Sequence, residues 1–228
     1  MTRATDFNLN AGLVLSIPMF EGTGTATLSD VAKTHHPMTL VHSPVWTQLP
    51  SGLWVLQFVS AGGPDFIQCA AASSIDLNFT SESFSVVMWI NAADGTYTLV
   101  RRGLDSTDGW NFFRADPNKI GLDTWWPTQN ETMTGDNAFL PSVWVLVGFT
   151  RVGTLVTLYV NGSRGVIGSQ ASHVDPASAN RKLLIGVSNN ETSLPFNGYM
   201  DLPHIWNRAL SPAEHMQIFN AEREFFGV

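Results

Sequence analysis

Cys69 is the only cysteine in the chain. No internal disulfide can form, so stability has to come from a packed core. The run around it, Ile67-Gln68-Cys69-Ala70-Ala71-Ala72, is apolar, and the thiol reads as buried and inert. Charge is sparse as well. Only 14% of residues are charged, and the formal net charge is −7. The adjacent basic pairs, Arg101-Arg102 and Arg181-Lys182, read as solvated strand or turn residues. Neither makes the basic stripe that a phosphate backbone requires, so nucleic acid is excluded as a partner. No 18-residue apolar run is free of breakers, which excludes a membrane-spanning helix. Ala11 to Phe20 is apolar, but Asp6 precedes it, Ser16 and Pro18 interrupt it, and no small-x-small site follows. It does not read as an export signal. Without one, the Asn-x-Ser/Thr sites at Asn78, Asn130, Asn161 and Asn190 imply nothing.

Catalytic signatures are missing too. Glycosidases of the retaining type need two carboxylates about 5–5.5 Å apart, which alternate positions of one strand supply. The only Asp/Glu pair at that spacing is Glu222/Glu224, near the C-terminus, where a helix would splay the two apart. There is no H-E-x-x-H, G-x-S-x-G or G-x-x-x-x-G-K. His35-His36 reads as a solvated loop pair rather than a zinc site. The chain is therefore expected to have no enzymatic activity.

What is present is apolar and aromatic. Hydrophobic residues make up 44% of the 228, with eight Trp and 14 Phe, enough for a sizeable core. Short apolar runs alternate with turn clusters, the rhythm of an all-β sandwich. Phe84, Val86, Met88 and Ile90 fall on one face of a strand, and Ser85, Val87, Trp89 and Asn91 on the other. Both faces are largely apolar, so the strand should be interior and covered on both sides. Tyr97–Arg102, Trp110–Arg114 and Lys119–Trp125 read as further strands. Val143–Thr150 and Thr154–Val160 read as a hairpin about Arg151-Val152-Gly153, and Asn161-Gly162 supplies a two-residue turn. Thr23–Pro50, Pro127–Ala138 and Gly168–Asn180 read as long loops. Near the end, Ser211, Pro212 and Glu214 form a capping box, which predicts a helix from Ser211 to Glu224 anchored by Phe225-Phe226.

The segment Phe196-Asn-Gly-Tyr-Met-Asp201 followed by Trp206-Asn-Arg-Ala-Leu-Ser211 resembles the closing segment of laminin-G-like domains in the concanavalin A-like lectin/glucanase superfamily. Leu13–Gly24, Ser83–Ile90, Leu158-Tyr-Val-Asn-Gly162 and Leu184-Ile-Gly186 resemble the family's other motifs, in the same order. The resemblance implies one domain over residues 1–228. It would be a concanavalin A-like jelly roll of two antiparallel sheets with a short C-terminal helix, an N-terminal arm over 1–11 and a curved groove. It also implies a binding module. The leading expectation is a lectin-like protein of a virion surface, a capsid decoration or tail-associated adhesin, made in the cytoplasm and binding a surface glycan. Its partners would include capsid or tail proteins, or further copies of itself in an array. The alternatives are a purely structural capsid-decorating protein, or a secreted, extracellular carbohydrate-binding module or glycan-active enzyme.

Two candidate sites follow. In many relatives a structural calcium ties the first strand's exit to the final strand, and by position Glu21, Asp30 and Asp201 would supply its carboxylates. The Val31–His36 stretch departs from the family there and adds Lys33. For a sugar, Trp125-Trp126 is the notable pair. Neighbours on a strand point to opposite faces, so one of them should face outward or sit in a loop. Trp110, Asp105, Asp108, Asp123 and Asn130 lie nearby in sequence and complete the expected platform.

Overall fold

The computed structural model describes residues 8–24, 26–59, 62–126 and 128–228. The first seven residues of the expected N-terminal arm lie outside these. The chain opens with β1 (Leu13–Ser16), β2 (Thr27–Leu28), β3 (Met38–Val41), β4 (Val45–Gln48), β5 (Trp54–Phe58) and β6 (Phe66–Cys69). Its middle holds β7 (Phe84–Ala92), β8 (Tyr97–Leu104), β9 (Asp108–Ala115), β10 (Lys119–Trp125) and β11 (Gln129–Thr134). Then come β12 (Val145–Val152), β13 (Leu155–Val160), β14 (Ser163–Arg164), β15 (Ile167–Ser169), β16 (Leu183–Ile185) and β17 (Gly198–Trp206), and finally the helix α1 (Pro212–Phe226).

The strands form two antiparallel sheets. One runs β14-β13-β12-β7-β17-β5-β4, with β1 also pairing β17; the other runs β15-β11-β10-β9-β8-β16-β6-β3-β2. β7 sits mid-sheet between β12 and β17, as its two apolar faces require. Phe84, Val86, Met88 and Ile90 enter the main core with Trp110, Phe112 and Phe149. On the opposite face, Val87 and Trp89 enter a second core with Trp206, Ile218 and Phe226 of the helix side. The sandwich therefore has a third layer, α1, on the outer face of the eight-stranded sheet.

The capping box forms as read. The Glu214 N–H donates to Ser211 Oγ at 3.3 Å, and the Ser211 N–H donates to Glu214 Oε2 at 2.7 Å. Gly227 stops the helix in the left-handed conformation. Only one of the two terminal phenylalanines anchors it. Phe226 stacks on Trp89 at 4.2 Å between ring centres, whereas Phe225 is exposed. Asn161 and Gly162 both have positive φ, as a two-residue turn between twisted strands demands. The preceding hairpin is tighter than read. Val152 pairs with Leu155, so Arg151 belongs to the strand and Gly153-Thr154 make the turn.

Two of the expected loops contain strands. Thr23–Pro50 holds β2, β3 and β4, and Pro127–Ala138 holds β11. The sequence of β11, Gln-Asn-Glu-Thr-Met-Thr, lacks the aliphatic residues that mark a strand. It is held by pairing along its whole length with β10. Of the two basic pairs, Arg181-Lys182 is solvated as read, but Arg101-Arg102 is not. Arg101 and Arg102 are each 1% exposed. Arg102 faces inward and donates to Ser74 Oγ and to the Arg181 carbonyl.

Candidate functional site on the outer face of the nine-stranded sheet

Strand register brings a row of side chains together on this face. Gln68 pairs with Leu184, Leu184 with Arg101, Arg101 with Asn111, Asn111 with Asp123, and Asp123 with Glu131. Their sequence neighbours Ile67, Cys69, Val100, Phe112 and Leu122 fill the core between the sheets. The row therefore points away from the core, by the two-residue period of a strand. Six strands at about 4.8 Å spacing give it a length of about 24 Å. It is polar except for Leu184.

Parallel to it runs an apolar row: Phe113 beside Gly121, and Gly121 beside Met133. A Cβ on Gly121 would lie 2.5 Å from the Phe113 ring and 2.7 Å from Met133. Glycine is what allows those two side chains to meet across β10.

Trp125 and Trp126 separate as expected. Trp125 ends β10 and is 2% exposed; Trp126 begins the turn and is 57% exposed. The Arg101 guanidinium lies 4.7 Å from the Trp125 ring centre. Arg101 Nε donates to the Gly103 carbonyl at 2.9 Å, and its terminal nitrogens donate to Ser188 Oγ at 3.2 Å and Asp105 Oδ1 at 2.7 Å. Asp123 is 6% exposed. It accepts from Gln129 Nε2 at 2.9 Å and, at the limit of hydrogen bonding, from Asn111 Nδ2 at 3.5 Å. Burial pushes its carboxyl up to about 7, and the nearby charge of Glu131 adds to the shift. Asn111 Oδ1, Gln68 Oε1 and Thr98 Oγ1 are buried with no hydrogen-bond partner. Thr98 stands on the same face, opposite Phe113. Beside Gly103 and Leu184 a cleft of about 240 Å³ opens, lined also by Arg181, Lys182, Asn189 and Glu191.

Other expected residues lie elsewhere. Trp110 is a core residue: it is fully buried, donates to the Leu77 carbonyl at 3.2 Å and packs 5.2 Å from Phe84. It cannot contact a surface ligand. Asp108 closes its own loop, accepting from the Leu104 N–H at 2.9 Å and pairing with Arg181. Asn130 accepts from the Val174 N–H at 2.8 Å and fixes the 170–180 segment to β11. Asp105 is on the face, but as the counter-ion of Arg101. Sequence reading missed Arg101, Asn111, Gln129 and Glu131. The available signal was a set of polar residues at alternate positions of otherwise apolar strands.

The calcium ligands do not assemble. Both Asp30 oxygens are engaged: Oδ1 accepts from the Ser16 and Ala32 N–H groups at 2.9 Å each, and Oδ2 from the His36 N–H at 2.9 Å and ring Nδ1 at 2.7 Å. His36 is thus a buried link, not a solvated loop residue, and its Nε2 reaches Asp76 Oδ1 at 2.9 Å. Asp201 is fully buried, with Oδ1 accepting from the Leu202 N–H and Oδ2 unpartnered. Burial holds its carboxyl well above the ordinary range, with Glu222 and Glu21 adding to the shift. Glu21 accepts from the Ser29 N–H and has a second, unpartnered oxygen. Among the described residues no group of three or more His, Cys, Asp or Glu side chains is placed to hold a metal ion. Asp30, saturated by the protein's own N–H groups, does not fit the implied calcium cage, whereas Glu21 and Asp201 each keep one unpartnered oxygen.

The comparisons agree with this architecture. No curated protein matches the sequence. Among solved structures, the binding domain of botulinum neurotoxin DC in complex with rat synaptotagmin II is 15% identical with a TM-score of 0.69; the match covers 93% of this chain and 52% of that one. A structure describing cell entry of botulinum neurotoxin type C through two ganglioside molecules is 14% identical, covers 94% and 52%, and has a TM-score of 0.69. The neurotoxin DC binding domain in complex with SialylT is 14% identical, covers 93% and 52%, and has a TM-score of 0.68. The chain spans about half the length of these structures, and the likeness is one of fold. The model of the concanavalin A-like lectin/glucanases superfamily matches residues 66–214, and the chain belongs to that family.

Proposed function

We propose that the protein is a non-enzymatic carbohydrate-binding module whose site is the outer face of the nine-stranded sheet, where Gln68, Gln129, Glu131 and Trp126 reach solvent beside the buried Arg101, Asn111 and Asp123. One observation carries this reading: a row of polar side chains in register on a face that is not the core. Its accessible members, Gln129 and Glu131, can exchange hydrogen bonds with a hydroxyl-rich ligand. The parallel Phe113–Met133 row and the exposed Trp126 offer the apolar surface that the C–H side of a sugar ring needs. Similar folds described with gangliosides and with SialylT support binding as the function class.

A single site should bind weakly, because a solvated sugar exchanges water hydrogen bonds for few new ones. Display in many copies, as on a particle surface, would compensate by avidity. The test is a glycan array probed with the chain in monomeric and tetramerised form. Hits with the tetramer that weaken in Trp126→Ala support the reading. A blank array in both forms overturns it and leaves a purely structural role, such as capsid decoration.

One observation favours a second reading. Asp123 and Glu131 are direct cross-strand neighbours, so two carboxyls share this face although no single strand carries such a pair. With Asp123 pushed up to about 7, the two could divide acid and nucleophile roles. Against this, Asp123 is 6% exposed and engaged by Gln129, which leaves it poorly placed to protonate a leaving group. Release of reducing ends from any array-positive glycan, abolished in Asp123→Asn, would favour the enzyme.

A further inference from the structure

The charges around the proposed site are matched unevenly. Each basic side chain there has its own carboxylate: Arg101 with Asp105 at 2.7 Å, Lys119 with Asp136 at 3.0 Å, Arg181 with Asp108 at 3.1 Å and Lys182 with Glu191 at 2.6 Å. Lys119 shares the outward face of β10 with Asp123, and Arg181 and Lys182 line the adjoining cleft. Among the described residues, Asp123 and Glu131 have no ion-pair partner. The face has no spare cation and carries unmatched acidic groups.

Resting on the carbohydrate reading above, we infer that this face takes uncharged, hydroxyl-rich glycan chains and rejects acidic sugars. A sialic acid or uronate carboxylate would find no free guanidinium or ammonium to receive it. Its charge would lie near that of Glu131, which is only partly exposed, and there like charges repel more strongly than in water. Neutral hydroxyls donate to Glu131 without that repulsion. The row's length of about 24 Å, set by six strands, suits an extended chain of several rings rather than a single terminal sugar. This departs from the structural neighbour solved with SialylT.

The experiment uses matched pairs that differ in charge. Lacto-N-neotetraose is compared with its terminally sialylated form, and the neutral methyl ester of hexagalacturonate with hexagalacturonate itself, in competition against the tetramerised full-length chain. The neutral member of each pair should bind more tightly by about tenfold or more. Glu131→Gln should narrow that gap, whatever it does to the affinity for the neutral members. Equal or tighter binding of the acidic members overturns the inference but leaves the carbohydrate reading standing. Silence toward every probe overturns both. A gap unchanged in Glu131→Gln shows that the discrimination does not come from this face and overturns the assignment.

Discussion

The guanidinium of Arg101 lies 4.7 Å from the ring centre of Trp125. A buried cation is tolerable because Asp105, Ser188 and the Gly103 carbonyl take its N–H groups while the indole supports its flat side. The contact divides the Trp125-Trp126 pair by role: Trp125 is part of the site's base, and Trp126 is at its rim.

Trp125→Ala should therefore cost stability, about 3–5 kcal/mol, because it leaves a cavity beneath Arg101. Trp126→Ala should stay within about 0.5 kcal/mol of wild type, as surface changes usually do. Urea denaturation of both variants measures the difference. Equal costs would show that the two indoles are not so divided.

The helix layer gives a second contrast. Phe226→Ala should destabilise by about 3–5 kcal/mol through loss of its stacking on Trp89. Phe225→Ala should be nearly silent, since that ring is half-exposed. Ser211→Ala should cost about 1 kcal/mol by removing the helix cap. Denaturation midpoints that rank Phe225 above Phe226 would reverse this account of the third layer.

Two buried histidines make the fold sensitive to acid. His215 is buried against Tyr159, with Nε2 2.9 Å from Thr150 Oγ1, and burial lowers it to about 3. His173 lies between Thr124 and Thr132, and burial aided by the Arg151 charge lowers it to about 4. The unfolded chain takes up these protons from about pH 6.5 downward while the folded chain does not, so their part of the stability falls as pH drops from 6.5 toward 4. Asp201 and His36, both raised, oppose this, and so does Asp123. Its folded pKa is raised, so its contribution is fully present below about pH 4 and is lost as pH rises through 7. Asp123→Asn should accordingly gain on wild type at pH 8 relative to pH 5. Melting curves of wild type and Asp123→Asn across pH 4 to 8 test the sign for Asp123, and a difference between the two that does not change with pH would contradict it.

Calcium removal provides a fourth test. Because Asp30 is held by four N–H donors of the protein itself, a chelator should leave the melting temperature unchanged. Asp30→Asn should lower it with or without calcium, since it unties His36 from the β1 exit. A chelator-sensitive melting temperature that Asp201→Asn abolishes would restore the ion.

Much of the fold was legible because it rests on local signals. Alternating apolar residues of β7, the Asn161-Gly162 turn and the Ser211–Glu214 box each specify their element from a few neighbouring residues. β11 was not legible, because its polar residues are held in a strand only by pairing with β10. The site was half legible. Trp125, Trp126 and Asp123 stand out in the sequence, but Asn111 and Glu131 join them only through cross-strand register. Asp30 failed as a ligand for the same kind of reason. Its partners, Ser16 and His36, are defined by the fold of the loop and not by spacing.

The most direct test of the binding site is to map it. Backbone amide shifts of the labelled chain would be recorded during titration with the strongest neutral glycan from the array. Shifts should concentrate in β8 to β11, around Arg101, Asn111, Asp123 and Gln129 to Glu131, and in Trp126. Shifts confined to the helix side, to the His36 loop or to the β14–β15 edge, or no shifts at saturating glycan, would contradict the account.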